Sequence, residues 1–206
     1  MTAWLVVAPH CGGDRSLEGS LWVAERTLAL APDPPPLALL RGDATRAGFD
    51  ALVAASAPLA GVAFFGYGEG ERLLDADLAP LLDADNVRSL FRCWVHAYAC
   101  MAAWGLGALA ERHGVLIFVG YEIEVAAPVP VGLDPEVTEA LTRLVTVVTF
   151  ALARGETQEQ VLRRLAADAS ERLLHTMARR PKSHDPMVDV HLRLLARQLV
   201  DHLAVR

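Results

Sequence analysis

The sequence predicts an α/β fold, with a mostly parallel central sheet, helices on both of its faces and a helical C-terminal third. Two patterns lead to it. Trp4–Ala8, Leu37–Leu40, Gly61–Phe65, Cys93–Cys100 and Val115–Val119 are short and almost wholly apolar, as strands covered on both faces are. Stretches with apolar residues at helical spacing separate these runs, and strand–helix alternation is the signature of a parallel sheet. Beyond residue 134 only the helical period remains.

Each element has its own local signal. The first strand opens into the Gly-rich stretch His10–Asp14. A helix over Leu17–Leu30 follows, with Ser16 as its N-cap, and the prolines from Pro32 to Pro36 stop it. After the second strand, Asp43 or Thr45 caps a helix with Phe49, Leu52 and Val53 on one face, ending near Pro58. The third strand opens into a loop, Gly66-Tyr67-Gly68-Glu69-Gly70, and Asn86–Phe91 reads as a short helix. A helix over Ala102–His113 closes on Gly114 at the C′ position, with Arg112 and His113 in its last turn. Asp134-Pro135-Glu136 combines cap, proline at N1 and a first-turn acid, and starts a helix running to Arg154-Gly155. Thr157 to Gln160 has capping-box spacing and opens another helix, which ends before Pro181. Asp185-Pro186 opens the last. The 206 residues make one domain, with an α/β core over 1–126 and C-terminal helices over 134–206.

Composition narrows the function. A net charge of −6 argues against nucleic acid, which needs a concentrated basic surface. Nineteen basic residues include a single lysine, Lys182, an arginine bias that points to a GC-rich bacterial genome. No apolar run reaches the ~18 residues that would span a bilayer, and MTAWLVVAPH lacks the basic lead of a secretory signal. The expectation is a cytoplasmic protein. Three cysteines, Cys11, Cys93 and Cys100, leave one over in any pairing and fit free thiols. No CxxC or HxxxH pair suggests a metal, and no cofactor is expected. Gly66–Gly70 lacks the GxGxxG spacing of a dinucleotide loop, and Gly12-Gly13 has no Lys-Ser/Thr partner for a phosphate loop.

In an open parallel sheet, sites gather beyond the carboxyl ends of the strands. Three segments reach that edge with chemistry to offer: His10 to Gly13, Gly66-Tyr67-Gly68 and Cys100-Met101. Together with Asp43-Ala44-Thr45-Arg46, the run Gly61-Val62-Ala63-Phe64-Phe65-Gly66-Tyr67-Gly68 and the run Val95-His96-Ala97-Tyr98-Ala99-Cys100 are ordered as in the caspase-like cysteine peptidases. The chain resembles their bacterial caspase-like, CHAT-type branch over roughly residues 3–165. Val119-Gly120-Tyr121 and Leu152-Ala153-Arg154-Gly155 are similar to that branch too.

The resemblance implies a three-layer caspase-like fold and a Cys–His dyad. Thiolate attacks a peptide carbonyl, the histidine shuttles the proton, and backbone N–H groups stabilise the oxyanion. Carried over, the nucleophile is Cys100 and the oxyanion glycine is Gly68. The histidine position holds Tyr67. A phenol with a pKa near ~10 is protonated at neutral pH and does not accept a thiol proton there. Cys100 itself, placed just before a helix, gains thiolate character from the helix N-terminus.

Two readings follow: a pseudo-protease that binds a peptide or protein partner, in a bacterial signalling or defence role by family analogy, or an active cysteine endopeptidase with His10 as replacement base. His96, four residues before Cys100, lies about 13 Å from it along a strand and reads as a core residue. The other histidines, at 113, 175, 184, 191 and 202, read as solvated. For the first substrate pocket, Asp14 and Arg15 sit side by side, while Glu122 and Glu124 follow the fifth strand, so both signs are on offer. Asp75 and Asp77 flank a cleft or cap a turn. Cys93, an odd number of residues from Cys100, faces the other side of the strand.

Overall fold

A computed structural model describes residues 3–10, 13–56, 58–125, 133, 135–179 and 186–206. Its main sheet has six strands in the order β2-β1-β3-β7-β8-β9, where β1 is Trp4–Ala8, β2 Leu37–Leu40, β3 Gly61–Phe65, β7 Trp94–Tyr98, β8 Ile117–Tyr121 and β9 Leu203–Val205. The first five run parallel; β9 pairs antiparallel with β8. The predicted mostly parallel α/β sheet is therefore present, with a strand arising from each of the five apolar runs.

Alternation along the strands divides the core in two. Trp4, Val6, Ala8, Ala63, Phe65 and Tyr98 face one layer. Their neighbours Leu5, Val7, Val62, Phe64, Val95 and Ala97 face the other, as a side-chain period of two requires. On the first face lie α1 (Arg15–Leu30), α4 (Pro135–Ala153) and α5 (Gln158–Ala167). A π-helical turn, Asp168–Leu174, leads from α5 into α6 (His175–Ala178), and α7 (Pro186–Asp201) completes that layer. The second face is covered by α2 (Arg46–Ala55), α3 (Gly105–Arg112) and a small antiparallel sheet of β4 (Gly68–Glu69), β5 (Arg72–Leu74) and β6 (Pro80–Leu82).

Several local expectations are corrected. Asp14, not Ser16, caps α1: its Oδ1 accepts from the Ser16 and Leu17 amides, so the helix begins at Arg15. Thr45 caps α2, and the Thr157/Gln160 capping box forms as expected. The loop after β3 is partly a strand, because Gly68 and Glu69 pair with Leu73 and Arg72. Val87–Leu90 is a 3₁₀ turn. The strand expected over Cys93–Cys100 spans Trp94–Tyr98, and that expected over Val115–Val119 starts at Ile117. The C-terminus adds a strand where only helix was expected. There Phe118 and Arg206 exchange both backbone hydrogen bonds, at 2.8 and 2.9 Å, covering the edge of β8. Asp134, Pro181 and Asp185, which carried three boundary signals, lie outside the described residues.

Candidate functional site at the carboxyl edge

β1, β3 and β7 all end at the same edge, and β3 lies between the other two. Gly66 continues the ladder, its N–H bonding the Tyr98 carbonyl at 3.2 Å. Tyr67 and Gly68 are then gripped from two sides. The Tyr67 carbonyl accepts from Leu74 of β5 at 3.0 Å, and Gly70 accepts from Leu106 of α3 at 2.9 Å. This brings Gly68 against the end of β7. A Cβ on it would stand 2.5 Å from the Cys100 carbonyl oxygen and 3.1 Å from the Ala99 methyl. Only glycine fits this approach of backbone to backbone. Gly68 and Cys100, 32 positions apart in the chain, are thus in direct contact.

Tyr67 turns toward β1. Its hydroxyl donates a 2.6 Å hydrogen bond to Asp14 Oδ2, the length of a charge-assisted O–H···O⁻ bond. With Oδ1 on two helix amides, Asp14 uses both oxygens inside the chain. These bonds hold its carboxyl below the usual carboxylate range. The Tyr67 hydroxyl contributes most, then the Leu17 and Ser16 amides, and the His10 imidazole adds a small electrostatic contribution. Arg15, the neighbour paired with Asp14 in the sequence reading, is exposed on the first turn of α1. His10 is half-buried, and its Nε2 is buried with no hydrogen-bond partner among the described residues. Cys11 and Gly12 lie outside them.

Cys100 is half-exposed. Its Sγ accepts from the Val125 N–H at 3.4 Å and contacts the Val125 carbonyl at 3.9 Å. The chain leaving β8 therefore lies on the sulfur as a strap. Met101 N–H bonds Ile123 O at 3.0 Å and Ala103 N–H bonds Tyr121 O at 3.2 Å. These amides extend the pairing with β8 instead of starting a helix, and α3 begins only at Gly105. The expected helix N-terminus at Cys100 is therefore absent, and with it that route to a thiolate. Met101, at φ 54°, takes the bend instead. Glu122 and Glu124 stand exposed on the strap.

The remaining candidates fall outside this cluster. His96 is buried between the sheet and α4, its Nδ1 2.7 Å from Thr149 Oγ1, and burial lowers its pKa to about 3. Phe65, Tyr98 and Tyr121 ring it. Cys93 is buried in the opposite layer, and burial pushes its thiol up to about 11. Asp75 caps a turn, its Oδ1 accepting from Asp77 and Ala79 amides. His113, His175 and His191 are exposed, His202 is half-buried, and His184 lies outside the described residues.

Sequence reasoning missed two participants, the carboxylate of Asp14 as partner to Tyr67 and the strap ending at Val125. Asp14 carried only a helix-cap signal, and nothing local linked it to a residue 53 positions on. Among the described residues no group of three His, Cys, Asp or Glu side chains is placed to hold a metal ion, and no helix is long and apolar enough to cross a membrane. No protein-family model matches the sequence, and no curated protein matches it.

Proposed function

We propose that the chain is a caspase-like domain of the CHAT type in which the peptidase site has become a binding site, a pseudo-protease that holds a peptide segment of a partner protein. The strand order supports the fold assignment: the segment bearing Tyr67 and Gly68 lies between those bearing His10 and Cys100. The observation that carries the functional reading is the Tyr67–Asp14 hydrogen bond. The hydroxyl at the histidine position directs its one proton to a carboxylate, and a protonated phenol gives the sulfur no base. Among the described residues the sulfur bonds only the Val125 backbone. Loss of a general acid–base costs roughly 10²–10⁴-fold in rate. An extended peptide at this edge would be held through backbone hydrogen bonds, the means by which such segments are recognised. A signalling or defence role in a bacterium follows from family analogy.

A second reading rests on a separate observation. Among the described residues the buried Nε2 of His10, at the same edge, has no hydrogen-bond partner, so an active cysteine endopeptidase with His10 as base is the alternative. The deciding experiment compares peptide-library cleavage by Tyr67→His, His10→Ala and the parent chain. On the pseudo-protease reading the parent is inert and Tyr67→His, which restores an imidazole at that position, gains cleavage. Cleavage by the parent that His10→Ala abolishes establishes the alternative.

A further inference from the structure

Away from the carboxyl edge, the helical layer contains a cleft of about 720 Å³ between α1, α4 and α5. Its floor is one stripe of α4, from Pro135 through Thr142, Thr146 and Phe150 to Arg154. At 1.5 Å per residue that stripe is roughly 28 Å long. Spread over this length, a 720 Å³ cleft is long and narrow, a shape that suits one extended hydrocarbon chain better than a helix of ~10 Å diameter. The volume lies inside the ~300–1,000 Å³ range of small-molecule sites. Leu30, Leu133, Val147 and Phe150 give the cleft an apolar surface.

The rim is cationic in a chain of net charge −6. Five arginines line the cleft against two carboxylates, Glu139 and Asp168. Four of these arginines are already engaged: Arg143 with Glu139, Arg172 with Asp168, and Arg154 and Arg164 with Glu156. Arg26 differs. Among the described residues it has no carboxylate partner, and its guanidinium lies 5.8 Å from the Trp22 ring centroid. That contact takes up one face of the guanidinium and leaves its edge N–H donors for an anion.

We propose that this cleft binds a long-chain aliphatic carboxylate, with Arg26 holding the head group and the chain laid along α4 over Val147 and Phe150. A long, narrow cleft with an apolar surface and, among the described residues, one lining cation without a carboxylate partner matches that chemistry. A neutral chain leaves Arg26 unanswered, and a cation is repelled by the surplus of arginine.

Displacement of cis-parinaric acid, followed by its fluorescence on the full chain, tests this. One saturable site is expected, with palmitate competing and both 1-hexadecanol and hexadecyltrimethylammonium at least about 10-fold weaker. Arg26→Gln is expected to weaken palmitate about 10-fold. Val147→Trp, which fills the channel, is expected to abolish binding while circular dichroism shows the helices retained. Phe91→Ser, at an exposed apolar residue outside the cleft, is expected to change nothing. Non-saturable uptake, equal binding of hexadecanol, or indifference to both Arg26→Gln and Val147→Trp overturns the proposal. Should Val147→Trp fail to fold, Arg26→Gln and the hexadecanol comparison decide it alone. The outcome is independent of the site at Cys100.

Discussion

Tyr67 and Asp14, 53 positions apart, are joined by a 2.6 Å hydrogen bond that ties the loop after β3 to the cap of α1. One carboxylate therefore serves two purposes: it closes the helix and fixes the Tyr67 side chain. The two purposes separate by mutation. Asn caps a helix as well as Asp does, so Asp14→Asn removes the charge and spares the cap. Asp14→Ala loses both. At this half-exposed site, Asp14→Asn and Tyr67→Phe are each expected to cost about 1 kcal/mol in urea unfolding and Asp14→Ala about 2. The double-mutant cycle between Asp14→Asn and Tyr67→Phe should show coupling of about 0.5–1 kcal/mol.

The same pair gives a dependence on pH. Asp14 is held below its ordinary carboxylate value, so in the unfolded chain it binds a proton more readily than in the folded one. Its stabilisation is present above the unfolded value near ~3.9 and is lost as pH falls through the lower folded value. Tyr67→Phe removes the largest cause of the shift. Its acid unfolding below about pH 4 should therefore be less steep than the parent's, measured by circular dichroism.

His96 acts at higher pH. Buried as a neutral imidazole with a pKa of about 3, it takes a proton more readily once unfolded, where its value is ~6.5. Stability is full above that value and falls as pH drops from about 6.5 toward 3, by an amount of order several kcal/mol. His96→Phe, which keeps the aromatic packing with Phe65, Tyr98 and Tyr121, should flatten this slope. Thr149→Val leaves Nδ1 unpaired and should cost about 1–3 kcal/mol at neutral pH. A slope unchanged in His96→Phe would assign the acid sensitivity elsewhere.

Gly68→Ala places a methyl 2.5 Å from the Cys100 carbonyl. Neither backbone gives way easily, so about 1–3 kcal/mol of stability should be lost, together with any peptide binding at this edge. Gly70→Ala is a local control: its added Cβ meets nothing, and only its φ of 56° adds strain.

Of the three thiols, the two among the described residues, Cys93 and Cys100, should label in a fixed order. Cys93 is 3% exposed with its pKa raised by burial, whereas Cys100 is half-exposed. Iodoacetamide at pH 8 should modify Cys100 well before Cys93, as read by peptide mass spectrometry. Equal rates would mean that β7 opens at its lower end.

How much of this was legible depended on whether the signal was local. Trp4–Ala8, Gly61–Phe65 and their parallel partners declare themselves because burial on both faces demands unbroken apolar runs. Leu73-Leu74 and Leu81-Leu82 are only pairs between turn residues, too short to show a period, so the small sheet was hidden. Leu203–Val205 is a strand only because β8 offers it an edge. Cys100, Tyr67 and Gly68 could be placed from strand ends. The course of Met101–Trp104 could not, since the Met101 and Ala103 amides bond Ile123 and Tyr121, 22 and 18 positions on. Asp14 was legible as a helix cap, and its second role required the fold.

The pseudo-protease reading stands or falls on Cys100-dependent turnover. Hydrolysis of a mixed peptide library at neutral pH, by the parent and by Cys100→Ala side by side, measures it directly. Equal background in both chains is the result that this reading expects, with Tyr67 giving its proton to Asp14. Multiple turnovers by the parent that vanish in Cys100→Ala would contradict it.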